Sequence, residues 1–146
     1  MVEIKSMAAH HADQVIEMMR VFYSSDAVYT NGSEQIFISD VENCINDSPY
    51  LEGYVFEDEG RLVGYGMLAK SFSTEFGKRC IWIEDIYVIP EYRSQGIGTR
   101  FLKEVEHKYP DCLLRLEAEP ENTSALRVYK KCGFGTLPYI EFVKNQ

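Results

Sequence analysis

Several features that would quickly assign a function are absent from this chain of 146 residues. It has no apolar run long enough to span a bilayer, and its N-terminus lacks the basic stretch and apolar core of a secretory signal. Positive charge is scarce, since 15 Lys and Arg against 23 Asp and Glu leave a net charge of −8. That balance argues against sequence-independent binding to nucleic acid. We therefore expect a cytoplasmic protein that binds neither membranes nor nucleic acids.

Cysteine and histidine are also rare, and neither occurs at the spacing of a metal site. The chain has three histidines and four cysteines, and no two cysteines form a Cys-x-x-Cys pair. The cysteines are Cys44, Cys80, Cys112 and Cys132. This usage predicts four free thiols in a reducing compartment and no bound metal.

The apolar periodicity and the chain breakers predict one mixed α/β domain over residues 1–146, in the order β-α-α-β-β-β-α-β-α-β-β. Helices are predicted at residues 12–23, 39–45, 96–109 and 122–131, the second of them opened by a capping box at Ser39. Strands are predicted at residues 2–5, 52–57, 61–72, 79–88, 112–119, 134–137 and 139–143. The mixture indicates an α+β fold in which helices cover both faces of a mixed sheet.

The most informative segment is residues 88–99, where an apolar strand leads through a tight turn into a helix. Gly96 and Gly98 allow close approach to the backbone, and the free N–H groups of a helix start attract an anion. Two common phosphate-binding patterns fail here. A Walker A loop has Gly-Lys-Ser/Thr, but Thr99 and Arg100 follow Gly98, and Phe101 replaces the third glycine of a dinucleotide motif. The segment therefore predicts a pyrophosphate site of another kind.

The pattern that does fit is Arg/Gln-x-x-Gly-x-Gly/Ala, and a second motif follows it as Asn122-x-x-Ala125-x-x-x-Tyr129-x-x-x-Gly133-Phe134. On these residues the chain resembles the GCN5-related N-acetyltransferases, the GNAT superfamily. The motifs cover the C-terminal half, and the element order covers the whole chain. The resemblance implies a twisted, mixed but mostly antiparallel sheet, and acetyl-CoA as co-substrate.

The resemblance also implies which positions hold acetyl-CoA. Backbone N–H groups of the turn would hold the pyrophosphate, at Arg93, Ser94, Gln95, Gly96, Ile97, Gly98 and Thr99. The pantetheine arm would pair like an added strand with the segment before the turn and touch the later helix, at Ile86, Tyr87, Val88, Asn122 and Ala125. Taken as residues alone, 86–88 could equally be part of a core strand.

Tyr129 matches the family tyrosine that returns a proton to the departing thiolate. A phenol with an ordinary pKa of about 10 can serve a thiol in this way in a shielded site. The alternative is a tyrosine that only packs its helix against the sheet. The spacing of the second motif favours the catalytic role.

Glu84 and Asp85 are carboxylates inside an otherwise apolar strand, where they are costly unless hydrogen-bonded or paired. In a regular strand they would point to opposite faces, and a β-bulge would change which face each one uses. The segment 83–88 resembles the diamine acetyltransferase branch of the family, which implies that Glu84 is the general base, often through water. The alternative is a structural hydrogen bond to a neighbouring loop.

These features predict direct acetyl transfer from acetyl-CoA to a primary amine of a small molecule, such as a polyamine, without a cysteine carrier. The alternatives are transfer to a protein or peptide amine, a non-catalytic acyl-CoA-binding regulator of the same fold, and an enzyme that binds a nucleotide phosphate. Family members often dimerise, and this implies a homodimer built through residues 134–143.

Overall fold

A single sheet of five strands, in the order β1-β2-β3-β4-β5, organises the computed structural model, which describes residues 1–146. The strands are β1 (Val2–Ser6), β2 (Leu51–Asp58), β3 (Arg61–Ser73), β4 (Lys78–Val88) and β5 (Leu113–Leu116). The helices are α1 (Ala12–Tyr23), α2 (Glu34–Ile45), α3 (Ile97–Lys108) and α4 (Thr123–Lys131). No helix combines the length and the apolar character needed to cross a membrane.

Neighbouring strands are antiparallel from β1 to β4, and β5 is parallel to β4. The parallel pair follows from the crossover through α3, because a parallel strand needs a long connection that returns to the same end of the sheet. The predicted mixed and mostly antiparallel sheet is therefore confirmed.

The two faces of the sheet carry separate apolar clusters. Helices α1 and α2 bury Val15, Met19 and Val41 against one face, where they meet Tyr65 and Tyr87 of the strands. On the other face, α3 buries a second set of side chains, and α4 packs at its margin through Val128 and Tyr129. Burial of these apolar stripes stabilises the layered arrangement, since each buried aliphatic or aromatic side chain contributes about 1.5–3 kcal/mol.

The predicted start of α2 at Ser39 is wrong. The helix begins at Glu34, and the Oγ of Ser33 accepts a hydrogen bond from the Ile36 N–H at 3.2 Å. Ser33 has extended backbone dihedral angles, which is the usual conformation of an N-cap residue. Ser39 matched a capping pattern, but it lies inside a helix that has already begun.

The two strands predicted at residues 134–137 and 139–143 are also wrong, because the chain after Gly133 forms neither strand nor helix. The alternating apolar residues there do suit a strand, but a strand forms only beside a partner with matching backbone groups. Ile140 and Phe142 are instead 80% and 92% exposed. Strand β5 is shorter than predicted for a related reason, since it ends where its pairing with β4 ends.

Gly66 on β3 lies where α3 approaches the sheet most closely. A Cβ atom added there would lie 2.5 Å from Cζ of Phe101, a ring that is itself almost fully buried. Contacts this short do not occur between real atoms, so either the ring or the helix would have to shift.

We expect Gly66→Ala to lower the free energy of unfolding by about 1–3 kcal/mol, as other overpacked cores do. Gly135→Ala is the matched control, since an added Cβ there meets nothing within 4 Å. Chemical denaturation of both variants checks the prediction. Equal stability of the two variants would contradict the close packing of α3 on β3.

Candidate active site

Strands β4 and β5 separate near the middle of β4. Their last paired residues are Ile83 and Leu116, so Glu84–Val88 of β4 have no strand on the β5 side. We call the space beside Glu84–Val88 the β4–β5 gap. Backbone N–H and C=O groups inside a protein require hydrogen-bond partners. The gap is therefore a place where an extended ligand can pair with the sheet.

The hydrogen-bond ladder between β3 and β4 shows which groups face the β4–β5 gap. The Ile89 N–H donates to the Val63 carbonyl at 2.9 Å, so this pair is a hydrogen-bonded one. Such pairs alternate with non-bonded pairs along antiparallel strands. The N–H and C=O of Ile86 and Val88 therefore point away from β3 and into the gap. Tyr87, by contrast, lies opposite Tyr65 in the ladder and buries its ring under α1.

Glu84 is the extra residue of a β-bulge. Met67 pairs with Asp85 while Leu68 pairs with Ile83, so Glu84 has no partner on β3. The bulge changes the face that β4 presents, because Ile83 packs under α3 whereas Asp85 points towards α1. Glu84 itself is exposed, at the first position of the β4–β5 gap.

Asp85 is a buried carboxylate that two tyrosine hydroxyls hold. It is 4% exposed, and it accepts hydrogen bonds from Tyr23 at 2.9 Å and from Tyr65 at 2.8 Å. Burial raises the pKa of the Asp85 carboxyl, and the two hydrogen bonds oppose that rise. Burial also raises the pKa of both tyrosines, so both remain protonated donors.

Two further carboxyls lie close to Asp85, and no lysine, arginine or histidine forms an ion pair with any of the three. Burial first, and then the charge of Asp85, raises the pKa of Asp40 on α2 to about 6. Although Glu84 is exposed, protein atoms beside its carboxyl remove part of its hydration and so raise its pKa, with added contributions from Asp85, Asp40 and Glu141. The fold thus collects negative charge beside the β4–β5 gap without neutralising it. No group of three or more His, Cys, Asp or Glu side chains is arranged to hold a metal ion.

The glycine turn, residues 93–99, continues from the end of β4 into α3. Gly96 is the N-cap of α3 and has a φ of 80°, which favours glycine. The first intrahelical hydrogen bond runs from the Arg100 N–H to the Gly96 carbonyl, so the N–H groups of Ile97, Gly98 and Thr99 precede it. No side chain caps these groups, and the first turn carries no acidic residue.

Side chains of the glycine turn brace it against β4. Arg93 donates from Nε to the Val88 carbonyl at 2.8 Å, and its guanidinium lies 5.6 Å from the Tyr87 ring centroid. Gln95 donates from Nε2 to the Glu91 carbonyl at 3.3 Å. Ser94 has a positive φ of 63°, which is unusual for a residue with a side chain and marks how tightly the turn bends.

Helix α4 places the remaining predicted residues. Asn122 is its N-cap and accepts a hydrogen bond from the Ala125 N–H at 3.3 Å. Tyr129 lies about two turns further along α4 and is half-buried, with its ring 6.2 Å from that of Phe134, and burial raises its pKa. It lines a cavity of about 660 Å³ between β5, α4 and the C-terminal segment, to which Leu116 at the end of β5 also contributes.

Sequence reasoning missed three residues of this region, namely Tyr23, Asp40 and Tyr65. Their positions in α1, α2 and β3 follow ordinary apolar or capping patterns, so no local signal separates them from core or surface residues. Only the bulge at Glu84, which turns Asp85 towards α1, reveals that the three belong together.

Comparison with known proteins agrees with this architecture. The model of the acetyltransferase (GNAT) family matches residues 13–134. A thialysine N-epsilon-acetyltransferase of Bos taurus is 44% identical over 83 residues, which is 55% of this chain and 48% of that protein. The chain thus matches only about half the length of this relative. The uncharacterized N-acetyltransferase YhfO of Bacillus subtilis is 29% identical over 118 residues, or 79% of this chain and 75% of that protein.

Solved structures share the fold at low sequence identity. The aminoglycoside acetyltransferase AAC(6')-Iy, in complex with a CoA-linked bisubstrate analogue, has a TM-score of 0.82 at 15% identity, over 100% of this chain and 99% of that one. A ribosomal-protein-alanine N-acetyltransferase of Brucella melitensis has a TM-score of 0.75 at 15% identity, over 99% of both chains. Since the family model extends across most of the sequence and these structures share the arrangement of its sheet and helices, the chain belongs to the GNAT family of acetyltransferases.

Proposed function

We propose that this protein transfers an acetyl group from acetyl-CoA directly to a primary amine of a small, cationic molecule such as a polyamine. The observation that carries the proposal is the continuity of the β4–β5 gap with the glycine turn. Gap-facing N–H groups of Ile86 and Val88 lead, within one chain segment, to the free N–H groups at the start of α3. An extended thioester could pair with the N–H groups of the gap, and a diphosphate at its far end could bind the N–H groups at the start of α3.

The proposed cofactor contacts are mostly made by the backbone. Free N–H groups of Ile97, Gly98 and Thr99, at the positive end of the α3 dipole, would hold the pyrophosphate. Arg93, Ser94, Gln95 and Gly96 would shape the glycine turn around it. Ile86, Tyr87 and Val88 form the segment beside which the pantetheine arm would lie, while Asn122 and Ala125 would approach the arm from α4.

The charge near the β4–β5 gap supports a cationic acceptor. Glu84, Asp85 and Asp40 lie close together without an ion-pair partner. An ammonium group placed among them would relieve their mutual repulsion. The cattle relative is named for an ε-amine acceptor, thialysine, and that acceptor class agrees with this charge.

The proposed chemistry needs two proton transfers, one from the attacking amine and one to the departing thiolate. Glu84 would take a proton from the ammonium, directly or through water, since only the free amine is a nucleophile. A gap-facing N–H group would stabilise the oxyanion that forms on the thioester carbonyl. Tyr129 would then give a proton to the departing thiolate. Burial raises the pKa of Tyr129, so its hydroxyl is protonated at neutral pH.

The test of the function is a screen of primary amines with acetyl-CoA, in which thiol release is followed with a thiol-reactive chromophore. We expect small diamines and polyamines to give the highest kcat/KM. With the best of these amines, we expect Tyr129→Phe to lower kcat about 100-fold with little change in the KM for acetyl-CoA. A higher rate with a peptide amine would favour the alternative of protein acetylation. CoA binding without thiol release from any amine would favour a non-catalytic acyl-CoA-binding regulator.

The glycine turn gives a separate prediction. An added Cβ at Gly98 meets nothing within 4 Å, and its φ is not positive, so the fold itself does not require glycine there. We expect Gly98→Val to raise the Kd for CoA at least about tenfold and Gly98→Ala to raise it less, because the side chain occupies the space of the phosphates. Thermal unfolding should change little in either variant. Calorimetric titration checks the affinities, and unchanged binding would contradict the proposed pyrophosphate site.

We further propose that the protein acts in the reducing cytosol, which its four free thiols support.

We also propose that it acts as a homodimer. Exposed apolar side chains are concentrated between Leu137 and Val143, and β5 is an open edge of the sheet. A second copy of the chain could cover both. Sedimentation velocity should give a dimer for the wild type and a monomer for the Ile140→Ser, Phe142→Ser double variant. A wild-type monomer at all concentrations would contradict the dimer.

A further inference from the structure

Asp85 is a buried carboxyl with no cation beside it, and such a group is costly to bury unless it is fully hydrogen-bonded. Its two oxygens each accept one phenolic hydrogen bond, from Tyr23 at the end of α1 and from Tyr65 in the middle of β3. The carboxylate therefore ties three elements together at one point. That point is the residue directly after the bulge.

The guanidinium of Arg93 lies over the Tyr87 ring, and the other titratable groups around Asp85 and Glu84 are carboxyls, phenols and one thiol. They are Tyr23 from α1, Asp40 and Cys44 from α2, Tyr65 from β3, Tyr87 from β4 and Glu141 from the C-terminal segment. Since the phenols of Tyr23 and Tyr65 stay protonated, the charges that act on Glu84 are those of Asp85, Asp40 and Glu141. Asp85 exerts the strongest effect of the three.

We propose that Asp85, held by Tyr23 and Tyr65, is a positioning residue that fixes the bulge and keeps Glu84 at the β4–β5 gap as a proton acceptor. This inference rests on the proposed function for its consequence in catalysis, but not for its structural part. Glu84 makes no side-chain hydrogen bond of its own that would hold it. Its placement therefore depends on the backbone, and the backbone at this point depends on Asp85.

The charge of Asp85 also sets how readily Glu84 takes a proton. A neighbouring negative charge disfavours the ionised form of Glu84 and so makes it a stronger base. Removal of that charge should lower the pKa of Glu84. Because the base must be deprotonated to act, the acidic limb of the activity profile should then move to lower pH.

Asp85→Asn separates the charge from the geometry. The amide keeps the shape of the carboxyl, its oxygen accepts one phenolic hydrogen bond, and its NH₂ can donate to the other phenol oxygen. The loss of a buried charge is not expected to destabilise the fold. Tyr65→Phe does the opposite, since it keeps the charge and removes one of the two hydrogen bonds.

A carboxyl elsewhere in the chain provides the matched control. Glu52 on β2 also accepts tyrosine hydrogen bonds, from Tyr54 at 2.7 Å and from Tyr109 at 2.8 Å. It lies towards the end of α3, on the opposite face of the sheet from Asp85, and pairs with Lys108. Glu52→Gln therefore removes a tyrosine-bound carboxylate but no group that is hydrogen-bonded to Asp85.

The first measurement needs no substrate. In protein labelled with ¹³C at the glutamate carboxyls, the NMR signal that disappears in Glu84→Gln reports on Glu84. We expect its titration midpoint to fall by about one pH unit in Asp85→Asn and to stay in place in Glu52→Gln. An unmoved midpoint in Asp85→Asn, or an equal shift in both variants, would overturn the inference.

The second measurement uses the amine that gives the highest rate. The acidic limb of kcat/KM should fall by the same amount in Asp85→Asn, while Tyr65→Phe should lower kcat about tenfold with an unchanged KM for acetyl-CoA. An unmoved limb in Asp85→Asn would overturn the catalytic part of the inference. If the wild type acetylates no amine while the NMR shift occurs, the proposed function fails and the electrostatic coupling of Asp85 to Glu84 stands.

Discussion

The separation of β4 from β5 after the pair Ile83–Leu116 is the constraint on which the rest of the site depends. A backbone that leaves its partner strand must find other hydrogen bonds or meet a ligand. Here β4 stays paired with β3 on both sides of the bulged residue Glu84, and the gap side is open from Glu84 to Val88. The proposed base and the proposed contacts of β4 with acetyl-CoA lie along this opening. The bulge lies at one end, and the glycine turn lies at the other.

The two faces of the sheet contribute differently to this opening. The face under α1 and α2 carries the carboxyls and the tyrosines, so it sets the charge of the proposed acceptor site. The face under α3 and α4 carries the helix start and Tyr129, so it would hold the acyl donor and the departing thiol. The proposed direct transfer would bring together two reactants from opposite faces of one strand, and holding two reactants in register supplies much of the rate advantage of an enzyme.

Much of the fold could be predicted from the sequence, because the helical spacing in α1, the apolar run of β4 and the glycines before α3 are strong local signals. The family motifs likewise indicate the glycine turn and α4. The final strands could not be predicted correctly. The apolar residues from Tyr139 to Val143 indicate a preference for extended structure, but they do not show whether a partner strand is available. The prediction of the N-cap of α2 was wrong for a similar reason, because both Ser33 and Ser39 have side chains that can cap a helix.

The close approach of α3 to β3 at Gly66 has a consequence for the glycine turn. Since the ring of Phe101 occupies the space of a missing side chain, α3 has little freedom to slide or tilt on the sheet. The N-terminal amides of that helix are consequently preorganised by the apolar core below them. A diphosphate that docks there would order few additional torsions, so little conformational entropy would oppose its binding.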